Sequence, residues 1–183
     1  MNNKFERLSR EIVYRSKWVN LFADRVIAPN GALIERYHIV DFEYTDVGCI
    51  VTNERNEVLL VKAYRYPTGT HGWEIPAGMV DSGEPATVAA AREVFEESGY
   101  HIHKLSEIHR YYPMNGISNK ECILVRGEVD SNRAQSDNFD ESEVSESAWF
   151  DLQTIDAMIK RNEIKCGLTL TALLLHLCNV ALD

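Results

Sequence analysis

Glu93, Glu96 and Glu97 crowd together in the stretch "REVFEESGY". At about 100° per residue of α-helix, the three carboxylates fall within an arc of about 100°. Like charges so placed repel one another, and they sit near the C-terminal end of a helix, where the macrodipole opposes negative charge. A bound divalent cation would offset both effects. Carboxylate oxygens without a cysteine or histidine beside them favour Mg2+ or Mn2+ over zinc. Taken alone, three glutamates also fit an acidic, solvated helix face. Such a face usually intersperses lysines among its acids, whereas Arg92 is the only base between Pro85 and Gly99.

The elements that must position these acids can be read outward from them. Pro85 suits the first residue of a helix, where its missing N–H would be unpaired anyway. Gly99 suits the stop, since it adopts the left-handed conformation that ends helices. The intervening "ATVAAAREVFEES" consists largely of good helix formers. Its wheel predicts Val88, Ala91, Val94 and Phe95 toward a core, with Ala86, Ala89 and Ala90 bordering the acidic arc and open to close backbone approach. Upstream, residues 12–42 alternate as strands, with Pro29, Asn30 and Gly31 as a turn. "VGCIVTN" and "EVLLVKAYRY" read as a second hairpin, buried on both faces. Downstream come the strand candidates "KLSEIHRYY" and "ECILVRGEV", an acidic stretch over 131–145, and a short strand around Trp149. Apolar spacing of three and four predicts helices over 152–161 and 168–181. The expected fold class is α/β: a layered mixed fold preceded by a small antiparallel β meander.

Composition narrows the function. A chain of 183 residues suits one domain with at most a small appendage. A net charge of −9 argues against a general affinity for nucleic acid or anionic membrane. A polyphosphate substrate stays compatible if cations stand between it and the acids. Cys49, Cys122, Cys166 and Cys178 form no C-x-x-C pair and read as free thiols of a reducing cytoplasm. "MNNKFERLSR" lacks the apolar core of a signal peptide. The apolar run over 168–182 falls short of the ~20 residues that a membrane span needs. The expected location is cytoplasmic.

The whole segment from Gly78 to Tyr100 resembles the signature of the Nudix hydrolases, G-x5-E-x7-R-E-U-x-E-E-x-G-U, where U is bulky and apolar. Gly78, Glu84, Arg92, Glu93, Val94, Glu96, Glu97 and Gly99 all match, and Tyr100 stands where an aliphatic is more usual. The resemblance implies an α/β/α sandwich with a mixed sheet, here over 45–183, preceded by the meander of 1–44. It implies Glu93, Glu96 and Glu97 as metal ligands with the Ala77 carbonyl beside them. Arg92 would orient the glutamates, and Glu84 would support the loop or an outer metal shell.

Outside the signature, "AYRYPTGTHGWEIPAG" and "YYPMNGISNKECILVRGEV" look like the ADP-ribose and nucleotide-sugar pyrophosphatase branch. That likeness implies Mg2+-dependent hydrolysis of a nucleoside diphosphate sugar, with ADP-ribose foremost and GDP-mannose or UDP-glucose as alternatives. A non-catalytic ADP-ribose sensor is the rival from another class, though a sensor could shed the metal glutamates and here all are present. Arg65 could clamp a phosphate or ribose through two parallel hydrogen bonds; it could equally be a strand-end arginine paired with an acid. Glu74 could contact substrate or be an ordinary strand residue. Trp18 matches a position where the family stacks an adenine, with Tyr37 a weaker counterpart. The branch draws its general base from an acidic loop, here "SDNFDESEVSES", which makes Glu143, then Glu141, with Asp140 behind, the expected base; Glu96 or Glu97 could serve instead. His71 and His109 have no nucleophile at a useful spacing. The family's N-terminal strands commonly cross to a second subunit, which implies a homodimer.

Overall fold

The structure is a computed structural model that describes residues 4–130 and 144–180, without the side chains of Asn179 and Val180. It divides into two compact units. The first holds residues 4–45 and 112–121; the second holds 46–111, 122–130 and 144–180.

In the first unit, β1 (Glu6–Arg15), β2 (Asn20–Ile27) and β3 (Leu33–Asp41) form an antiparallel sheet in that order. The Pro29–Asn30–Gly31 turn closes as expected: the Ala28 amide donates to the Ala32 carbonyl at 2.8 Å, and Gly31 takes φ 83°, which suits a residue without Cβ. The first strand starts at Glu6, six residues before the alternation does. Every residue of β1 is exposed, so burial imposed no apolar pattern on its first half. Arg10 donates to both oxygens of the buried Asp24 at 2.7 and 2.8 Å, pinning β1 to β2 and holding that carboxyl below its usual range. Residues 112–121 return to this unit from the far side of the chain. Ser118 bridges Val40, and the Phe42 amide donates to the Asn119 side chain at 2.8 Å.

The second unit is a three-layer sandwich. Its sheet contains β4 (Asp46–Thr52), β5 (Val58–Arg65), β6 (Thr70–Glu74), β7 (Ala77–Met79), β8 (His103–Tyr111), β9 (Cys122–Glu128) and β10 (Val144–Phe150). The order is β10-β5-β4-β9-β8, with β6 on β5 and β7 on β4. Among these strands β4 and β9 run parallel, and the other pairs are antiparallel. The central strands are buried on both faces because each face is covered by helix. On one side α1 (Ala86–Ser98) packs on Val47, Cys49, Val51 and Leu59. On the other, α2 (Leu152–Lys160) and α3 (Gly167–Val180) pack on Ile50, Val58 and Leu60. A mixed α/β architecture following an N-terminal antiparallel sheet is thus the expected one. The β4–β5 hairpin is narrower than expected: its strands pair only at Thr52 and Val58, then part to take β7 and β6.

Two details of α1 differ from the expectation. Pro85 is the N-cap, in an extended conformation, and the helix starts at Ala86. Gly99 closes it in the left-handed conformation at φ 71°, as expected. The core face is also turned. Val88 is 53% exposed, and Phe95 lies at the rim stacked on His101 at 4.5 Å. Val94 is buried as expected, and Ala89 and Ala90 join it in place of Val88 and Phe95. Alanines let the helix lie close to the sheet, so the closest packing follows the small side chains rather than the bulky ones. This rotation carries Glu97 inward, to 7% exposure.

One stability prediction arises here. His176 of α3 is 3% exposed; its Nδ1 lies 3.4 Å from an Arg126 nitrogen, and its Nε2 has no partner among the described residues. Burial first, and Arg126 second, push its pKa below the ordinary value. The folded protein therefore holds it neutral, and its contribution is fully present above the unfolded pKa of ~6.5 and is lost as pH falls below it. Tm should drop between pH 7.5 and 5.5, and the drop should be smaller in His176→Leu. Parallel drops in both proteins would assign the sensitivity elsewhere.

Candidate active site

The acidic helix meets the sheet at the segment linking β6 to β7. Pro76 accepts the Cys49 amide at 2.8 Å, after which β7 pairs with β4, Gly48 opposite Ala77 and Asp46 opposite Met79. A cavity of about 560 Å3 opens beside this segment. Glu93, Glu96 and Glu97 line it from α1, and Ala77, Gly78 and Met79 from β7. Arg65 and Glu74 line it as well.

Three devices hold the acids. Glu97 accepts the Ala77 amide at 3.2 Å, tying the helix end to the loop. Gly78 lets Glu93 press against the backbone: a Cβ at residue 78 would lie 2.1 Å from the Glu93 carboxyl carbon. Arg92 is the hub. It donates to Glu93 at 2.7 Å, to Glu96 at 3.2 Å, to Glu84 at 3.1 and 3.3 Å, and to the Met79 carbonyl at 2.9 Å. The Arg92 hydrogen bond holds the Glu84 carboxyl below its usual range, and Glu84 in turn accepts the Asp81 amide at 3.1 Å. One guanidinium thus sets the helix acids and the loop in a common frame.

Arg65 and Glu74 form a two-pronged ion pair at 2.8 and 3.1 Å. Strand alternation places both on one face of the β5–β6 hairpin, with Tyr64 and His71 on the other, 5.0 Å apart between rings. Glu74 is 4% exposed, whereas the Arg65 side chain is half-exposed. The hydrogen bond from Arg65 to Glu74 raises the Arg65 pKa further, so the guanidinium stays charged. Arg65 is thus the strand-end arginine paired with an acid that one reading of the sequence expected, and it also lies on the cavity wall.

Other expected residues lie elsewhere in the chain. Trp18 belongs to the first unit, half-exposed at the bend between β1 and β2, with the Lys17 ammonium 4.5 Å from its ring centroid. Tyr37, in the same unit, donates to the Gly116 carbonyl at 3.0 Å. Asp140, Glu141 and Glu143 lie outside the described residues. His109 is exposed on β8. Asp46, Cys166 and Leu168 line the cavity without any sequence signal linking them to the acidic helix. Burial, then the Glu74 charge, raises the Cys166 thiol pKa, so the group is a neutral thiol near pH 7.

The acids around Gly78 fit a hard divalent cation. They offer carboxylate oxygens at a backbone approach that a side chain at residue 78 would fill. Among the described residues no three acidic, histidine or cysteine groups form a ready-made cage. Glu93 and Glu96 are instead engaged by Arg92, and Glu97 by the Ala77 amide.

Comparison with known proteins agrees with this arrangement. A model of the NUDIX domain matches residues 44–166, and one of the nucleoside diphosphate sugar hydrolase N-terminal domain matches residues 5–40. The chain is 28% identical over 157 residues to an ADP-ribose pyrophosphatase of Bacillus subtilis (strain 168), a match covering 86% of this chain and 84% of that protein. It is 32% identical over 106 residues to a CMP-5'-(N-acetyl-N-hydroxy-3-aminopropyl)phosphonate hydrolase of Streptomyces rubellomurinus, covering 58% of this chain and half of that protein. The crystal structure of an ADP compounds hydrolase superposes with a TM-score of 0.78 at 18% identity, over 94% of this chain and 91% of the other. No helix among the described residues is long and apolar enough to cross a membrane.

Proposed function

The chain belongs to the Nudix hydrolase family, and from that premise we propose that it hydrolyses the diphosphate linkage of a nucleoside diphosphate sugar. The foremost substrate is ADP-ribose, with AMP and ribose 5-phosphate as products. Family members need a divalent metal ion, and the oxygen-rich donor set favours Mg2+, with Mn2+ able to replace it. When bound, the cation neutralises the diphosphate and polarises the phosphorus under attack.

The observation that carries this reading is the meeting of two constellations on one cavity: the Arg92-locked glutamates at Gly78, and the Arg65–Glu74 pair. Glu93, Glu96 and Glu97, with the Ala77 carbonyl, hold the metal side. Arg92 keeps Glu93 and Glu96 aimed by hydrogen bonding. Arg65 donates to a phosphate or ribose oxygen from a guanidinium already oriented by Glu74, so little ordering remains for substrate to impose. Glu143, or else Glu141, accepts the proton of the attacking water, with Glu97 as the alternative. Trp18 stacks the adenine, and the N-terminal unit, residues 1–44 in this reading, joins two copies into a homodimer.

The test is direct. Purified protein with Mg2+ should cleave ADP-ribose in a panel that includes GDP-mannose, UDP-glucose and nucleoside triphosphates, and excess EDTA should abolish turnover. Cleavage of triphosphates with every nucleotide sugar inert would reject the substrate class. Turnover undiminished by EDTA would reject the metal.

A further inference from the structure

Ile75 and Pro76 fall between two ladders: β5–β6 pairing ends at Glu74, and β4–β7 pairing begins at Ala77. The Ile75 amide is therefore outside both sheets, yet Ile75 is buried. Its partner comes from far along the chain. Thr169, 0% exposed in the first turn of α3, accepts that N–H on its hydroxyl oxygen at 3.1 Å. Gly48 permits the approach: a Cβ there would lie 2.8 Å from Ile75 and 3.2 Å from Leu168, so the start of α3 and the β6–β7 corner close over a bare backbone. Cys166, three residues before Thr169, lines the cavity together with Glu74 and Arg65. The Ile75–Thr169 bond thus ties the residue next to Glu74, the carboxylate that orients Arg65, to the start of α3.

We propose that Thr169 is a positioning residue for substrate binding, acting through Ile75 to hold the Glu74–Arg65 pair against the cavity. The assignment rests on the reading of Arg65 and Glu74 as the substrate side of a nucleotide-sugar site. Ile75 lies immediately after Glu74 and two residues before the amide that Glu97 accepts. Freeing it lets Glu74 and Arg65 shift, while Glu93 and Glu96 keep their own hub at Arg92 and Ala77, which donates to Glu97, stays paired with β4. The effect therefore falls on binding rather than on the chemical step.

Thr169→Val preserves shape and removes the acceptor, whereas Thr169→Ser keeps it. With ADP-ribose, Thr169→Val should raise KM about tenfold with kcat within about twofold of the parent, and Thr169→Ser should return KM to within about twofold. An unchanged KM in Thr169→Val, a loss confined to kcat, or a serine variant as poor as the valine would each overturn the proposal. Amide exchange judges the clamp without turnover: the Ile75 N–H should be slowly exchanging in the parent protein and faster in Thr169→Val. Rapid exchange in the parent overturns the clamp even where the valine variant fails to fold. A parent protein that cleaves no nucleotide sugar defeats the functional reading instead, and the exchange rates of Ile75 then decide the role of Thr169 by themselves.

Discussion

Glu97→Gln is expected to lower kcat about a thousandfold while leaving the Tm of the metal-free protein unchanged or raised. The glutamine has nearly the shape of the glutamate and can keep accepting the Ala77 amide through its remaining carbonyl oxygen. The helix-to-loop tie therefore survives, and Glu97 is buried enough that shape matters. What disappears is a negative oxygen on the cavity wall, the one that the proposed function assigns to holding a cation and to taking a proton in reserve. A thousandfold loss corresponds to about 4 kcal/mol of transition-state stabilisation, the scale expected for such groups. Stability should move the other way, because one of three crowded charges is removed from a helix end whose dipole opposes them. Steady-state kinetics at saturating metal and substrate, with thermal denaturation in EDTA, measure both. Turnover within a few fold of the parent would remove Glu97 from its assigned role.

Gly78→Ala should be nearly as damaging, with kcat lowered about a hundredfold. The backbone at residue 78 is not in the left-handed region, so the harm is steric and not conformational. The added Cβ would lie 2.1 Å from both the carboxyl carbon and one oxygen of Glu93, well inside any allowed contact. Because the loop is paired to β4 and Glu93 is a flexible side chain, the glutamate must yield. It then leaves its 2.7 Å contact with Arg92 and its place in the cavity. The control is a double-mutant cycle. In a Glu93→Ala background there is nothing left to displace, so Gly78→Ala should add little further loss. Losses that multiply would show that the glycine serves some other purpose.

Much of the acidic wall of the cavity was legible because its signals are local. Three acids at helical spacing, a glycine stop and small residues around them lie within one short segment, and the same holds for the Pro29–Asn30–Gly31 turn. Helical period and turn chemistry act over a few residues, so sequence displays them directly. The face that α1 presents was not legible in the same way. The wheel favoured Val88 and Phe95, but the choice depended on how closely the sheet could approach, and alanines allowed the nearer approach.

The rest of the site is built from distant pieces. Arg65 and Glu74 become a pair only when β5 and β6 align. Asp46 reaches the cavity because β4 pairs with β7, and Cys166 and Leu168 because α3 begins over the β6–β7 corner. Similarly, nothing local announces that 112–121 returns to the first unit to bridge Val40. The order of residues was enough to specify the acidic helix, its stop, the buried strands and the sign of the charge that a ligand must neutralise. Which helix face turned inward, which groups shared the cavity and which buried hydroxyl took the Ile75 amide were settled by folding in three dimensions. Spacing along the chain sets short-range geometry, whereas these contacts depend on close packing between distant segments, such as Ile75 and Thr169, 94 residues apart.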